Sequence, residues 1–188
     1  MKNSTFPIFP LPVFILPGGK VRLRIFEKKY QKMLRLISAH QTFVIKLVSE
    51  SFINDNHWGS LVKIMDFNQG KDGLLEIDVL CVSLVYIMQF ESDENNLTFA
   101  QITPFLHWSQ NQVEESMSSK ELAKLLNDVM NNSEILSQLY QSRPLENIHW
   151  VIARWIELLP VKLTVKNLFG SIDSFPKAKD FVNSVIYK

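Results

Sequence analysis

The chain opens on an apolar run, FPIFPLPVFILPGG (residues 6–19), in which Ile8, Phe9, Leu11, Val13 and Phe14 are interleaved with prolines at 7, 10, 12 and 17. Proline fixes its own φ, lacks an N–H and pushes the preceding residue towards extended backbone. The spacing therefore predicts an extended, edge-like ribbon that lies against a core and is turned sharply by Pro17-Gly18-Gly19. VRLRI (21–25) alternates strictly, with Val21, Leu23 and Ile25 on one face and Arg22 and Arg24 on the other, which predicts a half-buried strand. Phe26, Tyr30, Met33, Leu34 and Ile37 then recur at helical spacing over 26–38, with basic residues on the remaining surface. Residues 42–48 and 59–67 read as strands, the second ending in the turn-rich NQGKDG.

The apolar stretch 74–90 predicts one long strand or two meeting at a bend. Leu75, Ile77 and Val79 alternate with Glu76 and Asp78, whereas from Leu80 both faces are apolar, as in a covered barrel strand. LTFAQITPFL supplies a further strand before Pro104. The composition turns polar and linker-like over 109–119, and the chain beyond it has helical periodicity. Leu122, Leu125, Leu126, Val129 and Met130 form one stripe. NIHWVIARWIELL forms another, halted by Pro160, and a last helix begins near Ser174. The expected organisation is a strand-rich domain over 1–110 and a helical domain over 111–188.

Composition adds little beyond a globular class. The apolar fraction is 46%, the charged fraction 21% and the net charge +1, so no global pull towards nucleic acid or membrane is expected. The charge is unevenly distributed, however. Residues 1–50 carry nine Lys/Arg against two Asp/Glu, and residues 51–119 carry two against ten. Such a division predicts that the two segments are neighbours in space. The single cysteine, Cys81, rules out an internal disulfide and reads as a small core residue. No apolar run is long enough for a membrane-spanning helix, and the prolines spoil the opening run as a signal peptide. A cytoplasmic location is expected.

The order of ribbon, PGG turn, alternating strand and IFEKKYQKML is more specific than any of its parts. It resembles the N-terminal, substrate-binding domain of the Lon family of ATP-dependent proteases. Phe9-Pro10-Leu11, Pro17-Gly18, Leu23-Arg24-Ile25-Phe26-Glu27 and Lys29-Tyr30 match the family's ribbon and helix start, with Lys29 where arginine is usual. Gly59 to Ile64 resemble its Gly-x-x-x-x-Ile strand, Asp72-Gly73 its Asp-Gly hairpin, and IELLPVKLTVKNLF (156–169) its Leu-Pro-x(n)-Lys-x-x-Leu-Leu segment. The family's Gly-x-x-Arg-Phe is absent from LCVSLVY, so no role of that arginine carries over. The resemblance implies an α+β fold: a PUA-like β pseudo-barrel with one early helix, followed by a C-terminal helical bundle. It also implies a free-standing module without the ATPase and protease domains.

The residues themselves offer little catalytic chemistry. A phosphate-binding loop needs Gly-x-x-x-x-Gly-Lys-Ser/Thr, and neither Gly19-Lys20 nor Gly70-Lys71 satisfies it. Histidines 40, 57, 107 and 149 are scattered without metal-ligand spacing, and the carboxylates concentrate at turns and exposed strand faces. No catalytic residue, metal or cofactor is expected, and an unrecognised hydrolase is the weakest reading. The resemblance implies a non-catalytic module that binds unfolded or partner polypeptide segments. Its candidate contacts are aromatics in loops or at element ends: Phe52, Trp58, Phe67, Phe105 and Trp108. The alternative is RNA binding through the basic cluster Arg22, Arg24, Lys28, Lys29, Lys32 and Arg35, since phosphate contacts need several cations on one surface.

Overall fold

A computed structural model describes residues 5–37, 42–48, 57–94, 96–108 and 117–187. The fold is mixed α+β, with a six-stranded sheet and six helices among the described residues. The chain divides into two compact units, Met1–Phe105 and Leu106–Lys188. The boundary expected at 110/111 lies outside the described residues.

The first unit contains β1 (Phe6–Leu11), β2 (Lys20–Ile25), α1 (Lys28–Leu36), β3 (Thr42–Leu47), β4 (Trp58–Gln69), β5 (Leu75–Ser92) and β6 (Thr98–Phe105). The order β5-β4-β3-β1-β6 closes on itself because β6 also pairs with β5, and β2 pairs with the first half of β5. Closure depends on the length of β5, 18 residues in one strand: 75–80 carry β2, and 84–92 carry β6. Two irregularities bend it. Val82 has no partner opposite it in β4, and Gln89, at φ 46°, has none in β6. Bulges of this kind sharpen twist and let a sheet close.

The proline ribbon is not an edge strand, contrary to expectation. β1 pairs with β6 over Phe6–Ile8 and, in parallel, with β3 over Ile8–Leu11. The two pairings are staggered, so only Ile8 has partners on both sides. Pro7 and Pro10 each face one neighbouring strand, which is why an interior position tolerates residues with no N–H. Both faces of β1 are covered as well. Ile8 joins Val44, Val85, Ile87 and Ala100 in one buried cluster. Phe9 faces the other way, its ring stacked on Tyr30 of α1 at 3.8 Å and tilted against Phe43 at 6.0 Å. The ribbon then turns at Leu16–Gly19, where the Gly19 N–H donates to the Leu16 carbonyl and Gly18 takes φ 79°. Proline followed by a positive-φ glycine is the signature of a type II turn. Reciprocal backbone bonds to Cys81 pin this turn to the middle of β5.

α1 starts at Lys28, two residues later than the apolar periodicity implies. Phe26 therefore precedes the helix and is 69% exposed, whereas Tyr30, Met33 and Leu34 are buried. The basic and acidic segments do meet. Arg22 lies opposite Asp78, and Arg24 opposite Glu76, across β2 and β5.

The second unit contains α2 (Met117–Asn131), α3 (Glu134–Leu139), α4 (Ile148–Leu158), α5 (Leu163–Asn167) and α6 (Phe175–Ile186). α4 is its centre, packing on α2 and α6, with Val151–Ile156 buried on every side. Asn147 caps it by accepting from the Trp150 N–H at 3.2 Å. Leu122, Leu126 and Met130 of α2, and Phe175, Ala178 and Val182 of α6, supply the facing apolar stripes. The short helix α5 lies between the stop at Pro160 and the last helix.

Candidate functional site

The outer face of the β4-β5-β6 wall gathers aromatic residues that the sequence scatters. In register, Trp58 lies opposite Tyr86, and Tyr86 opposite Thr103. Directly opposed residues share a sheet face, so the three form one cross-strand row. Phe105, two residues beyond Thr103 in β6, comes back to the same face, and its ring stacks on Tyr86 at 4.4 Å. Next along β5 on this face is Met88. Tyr86 is 51% exposed and Met88 45%. One end of the face is closed. The ribbon crosses it there, with the Ser60 hydroxyl donating to the Ile15 carbonyl at 2.6 Å and Phe14 meeting Trp58 edge-on at 6.2 Å. The result is a half-covered apolar strip: a floor of Ser60 and Leu84 under the ribbon, and an open stretch at Tyr86, Met88 and Phe105.

The expected aromatic contacts thus separate. Trp58 and Phe105 are brought to one face and joined there by Tyr86. Phe67 lies nine residues further along β4, half exposed beside α1. Trp108 is a core residue of the helical unit, 3% exposed. Its indole N–H donates to the Ser174 hydroxyl at 2.8 Å, and its ring meets Phe175 at 5.2 Å. A side chain so enclosed cannot be a surface contact, and its place at an element end gave no sign of that. Phe52 lies outside the described residues. Tyr86 and Met88 escaped sequence reading because the run from Leu80 looks apolar on both faces. Cys81, Leu84 and Tyr86 share a face because the extra residue at Val82 shifts the alternation of β5 by one, and no periodicity in the sequence marks that shift.

The basic residues also divide. Arg22 grips Asp78 with two bonds, Nε–Oδ1 at 2.7 Å and Nη2–Oδ2 at 2.9 Å, a bidentate pair that raises its pKa further. Arg24 pairs with Asp72 and, at 3.8 Å, with Glu76. Lys29 meets Glu27 at 3.3 Å and lies over the Tyr30 ring. Lys28, Lys32 and Arg35 are exposed on α1. Arg22, Arg24 and Lys29 are therefore committed to carboxylates of the chain itself.

Perturbed titratable groups occur in the helical unit, and packing accounts for them. Burial pushes His107 down to about 4, although its Nε2 donates to the Phe169 carbonyl at 3.0 Å. Burial also lowers Lys166, whose ammonium donates to the Glu157 carbonyl at 2.6 Å. The fully buried Arg154 pairs with Glu157 at 2.6 Å and lies 5.4 Å from the Trp150 ring. Among the described residues no three His, Cys, Asp or Glu side chains converge as a metal site, and Cys81 is buried. No helix among the described residues is long and apolar enough to cross a membrane.

A closed barrel with one early helix, then a helical unit, is the architecture of Lon N-terminal domains. A Lon N-terminal domain protein from Xanthomonas campestris superposes with a TM-score of 0.69 at 23% identity, over 95% of this chain and 97% of that one. The N-terminal domain of Lon protease from the Mycobacterium avium complex superposes with a TM-score of 0.58 at 13% identity, over 96% and 97%. The chain has the fold of these domains. No family model and no curated protein matches it in sequence.

Proposed function

We propose that this chain is a non-catalytic binding module that holds exposed apolar segments of other polypeptides on the outer face of the β4-β5-β6 wall. The observation that carries the reading is the solvent-open stack of Tyr86 on Phe105, flanked by Met88 and Trp58. Half-exposed aromatics in a row offer a large apolar area at small entropic cost, and such residues dominate protein interfaces. The likeness of fold to Lon N-terminal domains, with the resemblance of motifs to a substrate-binding domain, supports the same reading. The sequence has no phosphate-binding loop, and the purified protein is expected neither to hydrolyse ATP nor to degrade casein.

Calorimetric titration with unfolded casein and with single-stranded RNA, each at two salt concentrations, tests the proposal. Apolar burial gives a negative heat-capacity change and little salt dependence. Phosphate binding weakens steeply as salt rises. The first pattern is expected. Salt-sensitive RNA binding without any casein signal would replace the proposal by the RNA reading.

A further inference from the structure

A second recess lies between α1 and the β4–β5 hairpin, with a volume of about 360 Å³. Leu34, Leu74, Leu75 and Phe67 give it an apolar lining, and Gln31 and Arg35 form its polar side. Arg35 differs from the other arginines of the barrel. Arg22 and Arg24 are held by carboxylates, whereas Arg35 meets none among the described residues and is exposed. The helix dipole favours a cation in the last turn of α1. It does not account for an apolar recess beside that cation, nor for the half-exposed Phe67 on its wall.

We infer that this recess is a clamp for the free C-terminus of a polypeptide whose last side chain is apolar. Three features select that occupant. Both polar liners have N–H groups to give: Arg35 offers a planar fork that matches a carboxylate bidentately, and Gln31 offers an amide N–H. The volume is at the small end for a ligand pocket, enough for one or two side chains and too little for the three or more anchors of an amphipathic helix. A terminal residue carries its carboxylate and side chain on one Cα, which suits a recess lined by both the apolar Leu34 and the cationic Arg35. The inference rests on the reading of the chain as a polypeptide-binding module and gives it a second contact. Phe67 is nine residues from Trp58 on β4, about 30 Å at the usual strand rise.

The probe is a fluorescein-labelled octapeptide of alanine and serine ending in two leucines, as the free acid and as the C-terminal amide. Fluorescence anisotropy is measured with the wild type, Arg35→Ala and Tyr86→Ser, each first checked for a cooperative unfolding transition well above the assay temperature. The clamp predicts that the amide binds the wild type roughly tenfold or more weakly than the acid, the usual scale for loss of a charge-assisted pair. It also predicts that Arg35→Ala abolishes this difference and that Tyr86→Ser leaves it intact. Equal binding of acid and amide, with casein still bound, would overturn the clamp and leave the module standing. Binding of neither peptide nor casein would overturn both.

Discussion

Tyr86 stacks on Phe105 at 4.4 Å across β5 and β6, in a position where both rings face solvent. An aromatic pair of this kind contributes about 1 kcal/mol to the sheet, far less than a core residue would. Replacing Tyr86 by serine is therefore expected to lower stability by only about 1 kcal/mol, while weakening casein binding on the order of tenfold, as for an interface hot spot. Denaturant unfolding and anisotropy titration of the same variant measure the two effects. A large loss of stability with unchanged binding would make the pair structural.

The two cross-strand arginines should behave differently. Arg22 and Asp78 are 22% and 14% exposed and bonded twice, whereas the Arg24 side chain is 55% exposed. Arg22→Ala strands a largely buried carboxylate and should cost about 1–3 kcal/mol. Arg24→Ala should cost no more than about 0.5 kcal/mol, the scale of an exposed pair. Urea unfolding with a double-mutant cycle on Arg22 and Asp78 separates the pair from its surroundings.

Gly59 tests the closeness of β3 and β4. A Cβ there would lie 2.6 Å from Val44 Cγ1 and 2.8 Å from the Ile45 carbonyl oxygen. The carbonyl belongs to a paired strand and cannot easily retreat, so Gly59→Ala is expected to destabilise by about 1–3 kcal/mol, in the range of overpacked cores. Thermal unfolding gives the answer, and an unchanged midpoint would mean the wall is more yielding than its register implies.

His107 sets a pH dependence. Its folded pKa is depressed to about 4, below the ordinary value of 6.5, chiefly by burial. Between those values the unfolded chain binds the proton and the folded chain does not, so stability falls as pH drops from 6.5 towards 4. Above that window the group contributes no slope. One such group gives at most about 1.4 kcal/mol per pH unit. Stability profiles of the wild type and His107→Gln should diverge in that window alone, with the variant flatter. Parallel profiles would show that the imidazole is solvated.

Local pattern made much of this fold legible. The type II turn at Pro17-Gly18, the half-buried β2 and the apolar stripes of α2 and α4 all arise from residue spacing, and the charge division pointed to the Arg22–Asp78 pairing. What remained hidden depends on tertiary closure. The prolines of β1 implied an edge because nothing in the sequence shows that β6 and β3 cover different halves of the strand. Phe26 fits a helical period yet stands outside the helix, where that period no longer directs it. Nothing in the apolar stripe of α4 marks Arg154 as wholly buried and bonded to Glu157 one turn away. The proposed binding face was half visible: Trp58 and Phe105 stand at strand ends, whereas Tyr86 shares their face only because the extra residue at Val82 shifts the alternation of β5.

The central claim is that polypeptide binds on the Tyr86 face. Amide chemical-shift mapping of the isotopically labelled protein during titration with unfolded casein tests it most directly, because the readout is positional. The account predicts perturbations centred on Trp58, Tyr86, Met88 and Phe105, with little change along the exposed lysines of α1. Perturbations confined to Lys28, Lys32 and Arg35, or a spectrum unchanged at saturating casein, would contradict it.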